Sequence, residues 1–319
     1  MRLPQELVSA IEREIAGVDA KTLARAAEEL SRSYSAGRPR GMLESRAGQA
    51  AYLVTRLPAT FAAASVVMRE IAARLSFRIG SVLDLGAGAG TTSWAASAQL
   101  DSIREMTLIE RNSALIEMGK RLATAASCAS LRNARWMLAD LASYEPERDY
   151  DLAIAAYSFG ELDGLARQQL LRRIWPRVRG LVIIEPGTPA GFERVLGARE
   201  WLIANRAKMA APCPAEHECP LAARGDWCHF AVRLERTTRH RRLKAGELGY
   251  EDEKFSYVVG VKEAAARAAA ARIVRHPMHM KGHTRLELCT PEGLEQITVT
   301  KSQGEVYKRA KKVKWGEQW

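Results

Sequence analysis

The spacing of apolar positions changes near residue 80, and that change divides the chain. Before it, hydrophobic residues recur every three to four positions, the period of amphipathic helices. Pro4 stands just before one such run, and Asp19 is placed to cap a second that reaches about Tyr34. GRPRG (37–41) is a basic, turn-rich break, after which helical spacing resumes over 46–57 and 59–75 with Pro58 at the joint. From Ser81 short apolar runs take over: SVLDL (81–85), MTLIE (106–110), ARWMLAD (134–140), YDLAIAAY (150–157) and GLVIIEPG (180–187). Strands recurring with helical stretches between most of them predict a parallel sheet covered on both faces.

Two further β-rich runs, HFAVRLERT (229–237) and FSYVVGVK (255–262), follow a cysteine-rich loop. An alanine-rich stretch (264–272) then leads into RLELCTP and LEQITVTKS. The expected organisation is a helical region over 1–75, an α/β domain over 76–263 carrying a cysteine-rich insertion at 209–230, and a β-rich basic appendage over 264–319 ending in a helix.

Composition narrows the class. A chain of 319 residues with 47% hydrophobic and 27% charged residues can bury a sizeable core. No run approaches the ~18 apolar residues of a membrane helix, so no membrane partner is expected. The first twenty residues include Glu6, Glu12, Glu14 and Asp19, which argues against a secretory signal or an acid-poor transit peptide. The net charge of +11 favours polyanionic partners. It concentrates in TTRHRRLK (237–244) and KRAKKVKW (308–315), where Trp315 beside lysines suits stacking on RNA bases.

The first strand runs into VLDLGAGAGTT. Gly86, Gly88 and Gly90 let the backbone turn sharply and approach a ligand, and the next helix aims its N-terminal amides at the same point. A dinucleotide GxGxxG would need glycine at 91, where this chain has threonine. With Asp84 the pattern becomes DxGxGxG, which resembles motif I of S-adenosylmethionine-dependent methyltransferases. Glu110, ending the second strand, is placed to accept hydrogen bonds from ribose hydroxyls. Asp140 closes the third strand, where that superfamily contacts adenine. Catalytic groups are less evident. AYSFGEL (156–162) lacks the [DN]PP[YF] motif of amine methylation. No cysteine nucleophile for C5-pyrimidine methylation lies near strand four or five, and no Lys-Asp-Lys-Glu set for ribose methylation is evident. Tyr157 and Glu161 could line a target pocket or simply pack.

Of five cysteines, Cys213, Cys219 and Cys228 crowd one loop and Cys289 lies about sixty residues beyond; Cys128, among small residues, reads as a core thiol. Disulfides are not expected in an intracellular chain. Structural zinc usually shows C-x(2–4)-C pairs. The spacings here are wider, and proline after Cys213 and Cys219 is the sequence found at iron–sulfur ligands, which favours iron–sulfur. A zinc site of three cysteines with His217 or His229 stays open.

CP-x4-CP-x6-WCHF followed by FSYVVGVK, together with DLGAGAGT, YSFGEL, IIEPGTPAGF and CTPEG, resembles the methyltransferase-like proteins of the mitochondrial small ribosomal subunit and their bacterial relatives over roughly residues 40 to 316. The resemblance implies a class I (Rossmann-like) S-adenosylmethionine-dependent methyltransferase fold and a 4Fe–4S cluster on Cys213, Cys219, Cys228 and Cys289. It also implies a role in assembling the small subunit on ribosomal RNA, with methyl transfer itself open. The protein is expected to be a monomer when free. Its expected place is a bacterial cytoplasm, or the mitochondrial matrix for a processed eukaryotic form.

Overall fold

The structure is a computed structural model describing residues 1–35, 42–235, 250–262 and 270–319. The break at 37–41, the basic run at 237–244 and most of the alanine-rich stretch lie outside the described residues.

Four helices open the chain. Helix α1 (Gln5–Glu14) starts after Pro4 and buries Leu7, Ala10 and Ile11. The Asp19 carboxylate accepts from the Lys21 and Thr22 amides and caps α2 (Ala20–Ser35), as its position predicts. Ser45 caps α3 (Arg46–Thr55) by accepting from the Gly48 amide. Pro58 falls in the first turn of α4 (Leu57–Arg74), where no intrahelical N–H is needed, so the joint lies at Arg56. By length and mean hydropathy the span Arg46–Arg74 would pass as a membrane helix, contrary to the sequence expectation, but 78% of its apolar window is buried inside the protein.

The main sheet contains β1 (Ser81–Leu85), β2 (Glu105–Glu110), β3 (Arg135–Leu138), β4 (Tyr150–Ala156), β5 (Val178–Pro186), β6 (Lys208–Ala211), β7 (Phe230–Glu235) and β8 (Tyr250–Val261). Its order is β3-β2-β1-β4-β5-β8-β6. The first five strands are parallel, and β8 runs antiparallel to β5. The second edge of the long β8 is shared, with β7 pairing its N-terminal half and β6 its C-terminal end. This is the parallel, doubly wound sheet that the strand pattern predicts, in the class I methyltransferase fold that the resemblance implies.

Side chains leave the central strands alternately to either face. Val82, Leu108, Leu152, Ile154 and Val182 join the core beneath α1–α4 and α5 (Thr91–Gln99). Leu83, Ile109, Ala153 and Ile183 join the core under α8 (Gly164–Ile174) and α9 (Pro189–Ala204). The helices after β2, α6 (Ser113–Ala123) and α7 (Ala129–Arg132), flank the β3 edge. Strand order reverses between β1 and β4, so the crevice at their carboxyl ends is where such a sheet takes a ligand.

A second sheet, β10 (Met278–Met280), β11 (His283–Thr290) and β12 (Gly293–Thr300), also pairs β9 (Arg272–Ile273) with β11. Ile273, Leu286, Leu288 and Val299 form its own core with Ala310 of α10 (Glu305–Ala310). The tail folds back on β9: the Gly316 amide donates to the Ile273 carbonyl and the Ile273 amide to the Glu317 carbonyl.

Candidate functional site

Two sites emerge, one at the glycine loop and one at the cysteines. Gly88 has φ +56°, and a Cβ there would stand 2.9 Å from the Tyr52 hydroxyl of α3. A Cβ on Gly86 would meet Ser158 at 2.4 Å. Glycine at these positions therefore answers both backbone conformation and space. Glu110 holds the loop: one carboxylate oxygen accepts from the Gly88 amide at 2.9 Å, the other from the Arg111 and Asn112 amides at 2.9 Å each. A carboxylate has about four acceptor positions, so capacity for a hydroxyl remains. Asp84 is buried and accepts from the Ser93 amide and hydroxyl at 3.1 and 2.8 Å, tying β1 to α5. Burial pushes its carboxyl up to about 7, against the pull of the Ser93 bonds.

Asp140 is exposed and lies two residues beyond β3, where its carboxylate accepts from the Ala142 amide at 2.8 Å. The segment after β4 is committed to internal contacts. Tyr157 adopts φ +59° and its hydroxyl donates to Glu253 at 2.9 Å. The Ser158 hydroxyl donates to the Leu85 carbonyl at 2.6 Å. The Gly160 amide donates to Glu185, whose carboxylate also pairs with Arg194 at 2.7 Å. Glu161 pairs with Arg111 across the mouth of the cleft at 2.6 Å. Burial raises the Tyr157 and Glu185 pKa values, the second against Arg194.

Cys213 follows β6, Cys219 lies in the loop, Cys228 precedes β7 and Cys289 sits on β11. All four line one cavity of about 40 Å³, walled by Phe192, Leu196, Pro212, Pro220 and Val274. Burial raises the Cys213, Cys228 and Cys289 thiols, the last to about 12, and neighbouring thiols raise them further. Two buried guanidiniums oppose that rise. Arg199 of α9 donates from Nε to the Cys213 sulfur at 3.3 Å. Arg272 donates to the Pro212 carbonyl at 3.1 Å and pairs with Glu70 of α4 at 2.9 Å. Among the described residues, no three His, Cys, Asp or Glu side chains converge on a single-ion site.

Both ring nitrogens of His217 face carbonyls, those of Glu218 and Pro291, and His229 does not line the cavity. Cys128 stands apart, with its sulfur 3.1 Å from the Ser130 hydroxyl. Trp315 is half-buried and meets the rings of His229 and His276 edge-on at 4.6 and 4.8 Å. The returning tail packs it against these rings, with the Arg275 guanidinium 6.0 Å from its centroid. Sequence reasoning missed Arg199, Arg272, Ser93 and Tyr52. Only Arg199 left a trace, as a charge in the apolar register Phe192, Val195, Ala198, Leu202 of α9.

Solved structures with likeness to the chain include the plantazolicin methyltransferase BpumL in complex with SAH, at TM-score 0.42 and 12% identity over 82% of this chain and 100% of that one. Another is the N-methyltransferase NodS from Bradyrhizobium japonicum, at TM-score 0.37 and 11% identity over 62% and 84%. In sequence, the ribosome assembly protein METTL17, mitochondrial, of Homo sapiens is 28% identical over 286 residues, which is 83% of this chain and 61% of that protein's length. The family model of the mitochondrial small ribosomal subunit protein Rsm22 matches residues 46–319. The chain belongs to the Rsm22 family.

Proposed function

We propose that this protein is an assembly factor for the small ribosomal subunit that binds its ribosomal RNA, carries S-adenosylmethionine in the glycine-loop cleft and holds a 4Fe–4S cluster on Cys213, Cys219, Cys228 and Cys289. The observation that carries the reading is the meeting of four thiols, from segments on both sides of β7 and β8, around one apolar cavity. A cluster takes one thiolate per iron, so its ligands surround a volume. A lone zinc ion needs four donors within ~2.3 Å of one point. The donor set fits the cluster better. When bound, such a group supplies one-electron chemistry or a rigid cross-link between the loop and β11.

The glycine loop, the acid at the end of β2 and the crevice at the β1/β4 reversal support the adenosylmethionine site, in which Asp84, Gly86, Gly88, Gly90 and Glu110 hold the ligand and Asp140 lies at its adenine end. The internal commitments of Tyr157, Ser158, Gly160 and Glu161 support a factor that uses this ligand without transferring its methyl group. Labelled methyl transfer to immature small subunits would establish the alternative, an active ribosomal RNA methyltransferase.

Anaerobically purified protein should contain iron and sulfide in equal amounts. Cys289→Ser should lose most of both, whereas Cys128→Ser should lose neither. Stoichiometric zinc without sulfide overturns the cluster. Binding to small-subunit RNA should weaken with salt by ~0.7–0.9 logarithmic units per phosphate neutralised. Neutralising Lys308, Arg309, Lys311 and Lys312 should flatten that slope, and a salt-independent affinity overturns the RNA reading.

A further inference from the structure

Arg199 is 5% exposed, and its guanidinium points wholly inward. Nε donates to the Cys213 sulfur at 3.3 Å, while Nη2 donates to the Ala215 and His217 carbonyls at 3.0 and 2.7 Å. Among the described residues none of its hydrogen bonds goes to a carboxylate. The other buried guanidinium at the cavity differs. Arg272 is 1% exposed, but Glu70 takes two of its bonds, at 3.2 and 2.9 Å, and so neutralises it within the same network. A buried cation without a counter-charge is strongly unfavourable, because the interior returns little of the hydration it gives up. Among the described residues, the one anion-forming group that Arg199 hydrogen-bonds is the Cys213 sulfur.

We propose that Arg199 is the positioning residue that supplies counter-charge and an aimed N–H to Cys213, and thereby raises the reduction potential of the group the four thiolates hold. This rests on the iron–sulfur reading above. An N–H···S bond draws electron density from the thiolate, and a fixed positive charge in an apolar cavity favours whichever redox state is more negative. Both effects favour the reduced state, and hydrogen bonds to the sulfurs and local charge are recognised determinants of cluster potential. The two carbonyl bonds fix the guanidinium plane, so the donor stays aimed. Lysine would keep the charge and lose that aim.

The test uses the full chain, purified without oxygen, as wild type, Arg199→Gln and Arg199→Lys. Iron and sulfide are quantified first, and the midpoint is then followed by paramagnetic resonance while dithionite supplies one electron per cluster. Arg199→Gln should reduce the ratio of reduced to oxidised cluster at fixed potential about tenfold, the scale of a charge-assisted hydrogen bond. That is a downward shift of about 59 mV for a one-electron couple. Arg199→Lys should fall between the two. A variant that retains its iron and sulfide with an unmoved midpoint overturns this inference and leaves the cluster assignment standing. Wild-type protein without iron and sulfide overturns the cluster assignment and the inference with it. Should neither variant retain a cluster, pulsed resonance on reduced wild type labelled at the arginine guanidinium nitrogens decides. A nitrogen coupling to the cluster is expected, and its absence overturns the proposal.

Discussion

The glycine-loop cleft and the thiol cavity are organised by opposite means. The cleft is local: Asp84, the glycines, Ser93 and Glu110 lie within about thirty residues, and their hydrogen bonds run mostly to nearby backbone. The cavity is assembled from afar. Cys213, Cys219 and Cys228 come from one loop and Cys289 from the second sheet, while Arg272 reaches Glu70, 202 positions away, to tie that sheet to α4. A site whose frame is its own backbone can form as soon as strand and helix form. A site framed by ion pairs between distant segments exists only in the finished fold, and a single lost partner exposes several buried groups.

That contrast predicts the largest effect at Arg272. Arg272→Met should cost about 2–4 kcal/mol in urea denaturation, because it leaves the Pro212 and Gly316 carbonyls without their buried donor and Glu70 with Arg74 alone of its two guanidinium partners. Glu70→Gln should also destabilise, since it keeps an acceptor in place but takes the carboxylate from the buried Arg272 guanidinium. A loss under about 1 kcal/mol in Arg272→Met would break the comparison, for the cavity would then not depend on this long-range tie.

The two regions should also respond to pH with opposite sign. Asp84 titrates near 7 in the fold against 3.8 in an open chain, so between those values the folded protein binds more protons than the unfolded one. Its contribution to stability is therefore present at low pH and declines as pH rises from about 4 to about 7, by a few kcal/mol at most. Glu70 behaves in reverse. Burial works to raise its pKa, but the bonds from Arg272 and Arg74 outweigh it and lower the value, so its contribution is lost as pH falls below the ordinary carboxylate range. Asp84→Asn should flatten the neutral-side decline and leave the acid limb. Stability curves from pH 3 to 8 check both, and an unchanged neutral limb in Asp84→Asn would refute the first.

A smaller effect probes the cleft's packing. Gly88→Ala should destabilise by about 1–2 kcal/mol through its left-handed backbone, and the Tyr52 hydroxyl 2.9 Å from the new Cβ adds to that. Adding Tyr52→Phe removes the oxygen and leaves the ring carbon at 3.8 Å, so the double variant should recover part of the loss. Calorimetry should show adenosylmethionine affinity reduced in Gly88→Val, whose branched side chain fills the approach. No recovery in the double variant would place the α3 contact elsewhere.

How much of this was legible in the sequence follows the same division. The parallel strands were, because each is an apolar run long enough to cross the sheet, and the glycine loop was, because its geometry is written in consecutive residues. The short strands β6, β9 and β10 were not, since each spans two to four residues outside the regular alternation of apolar runs with helical stretches. The run ARWMLAD predicts a strand reaching Asp140, and β3 ends at Leu138. The cysteines could be grouped by type and spacing, but nothing local marks Arg272 as buried. Its burial depends on Glu70 and on a tail that returns to β9, and the same return turns Trp315 inward.

The smallest expected effect lies at the mouth of the cleft. Arg111 and Glu161 pair at 2.6 Å, yet their side chains are 36% and 42% exposed, so water already solvates both charges. Pairs of this kind contribute about 0–1 kcal/mol, and Arg111→Ala should change stability by no more than about 0.5 kcal/mol. The buried counterpart, Arg194 with Glu185, is joined to the same post-β4 segment through the Gly160 amide, with Glu185 only 1% exposed. Arg194→Met would strand that carboxylate in the interior and should cost several times as much as Arg111→Ala. Raising salt should shrink the Arg111 effect further and leave the Arg194 effect nearly unchanged, because screening acts on charges that solvent reaches. Equal losses in the two variants, or equal sensitivity to salt, would show that burial does not separate these pairs.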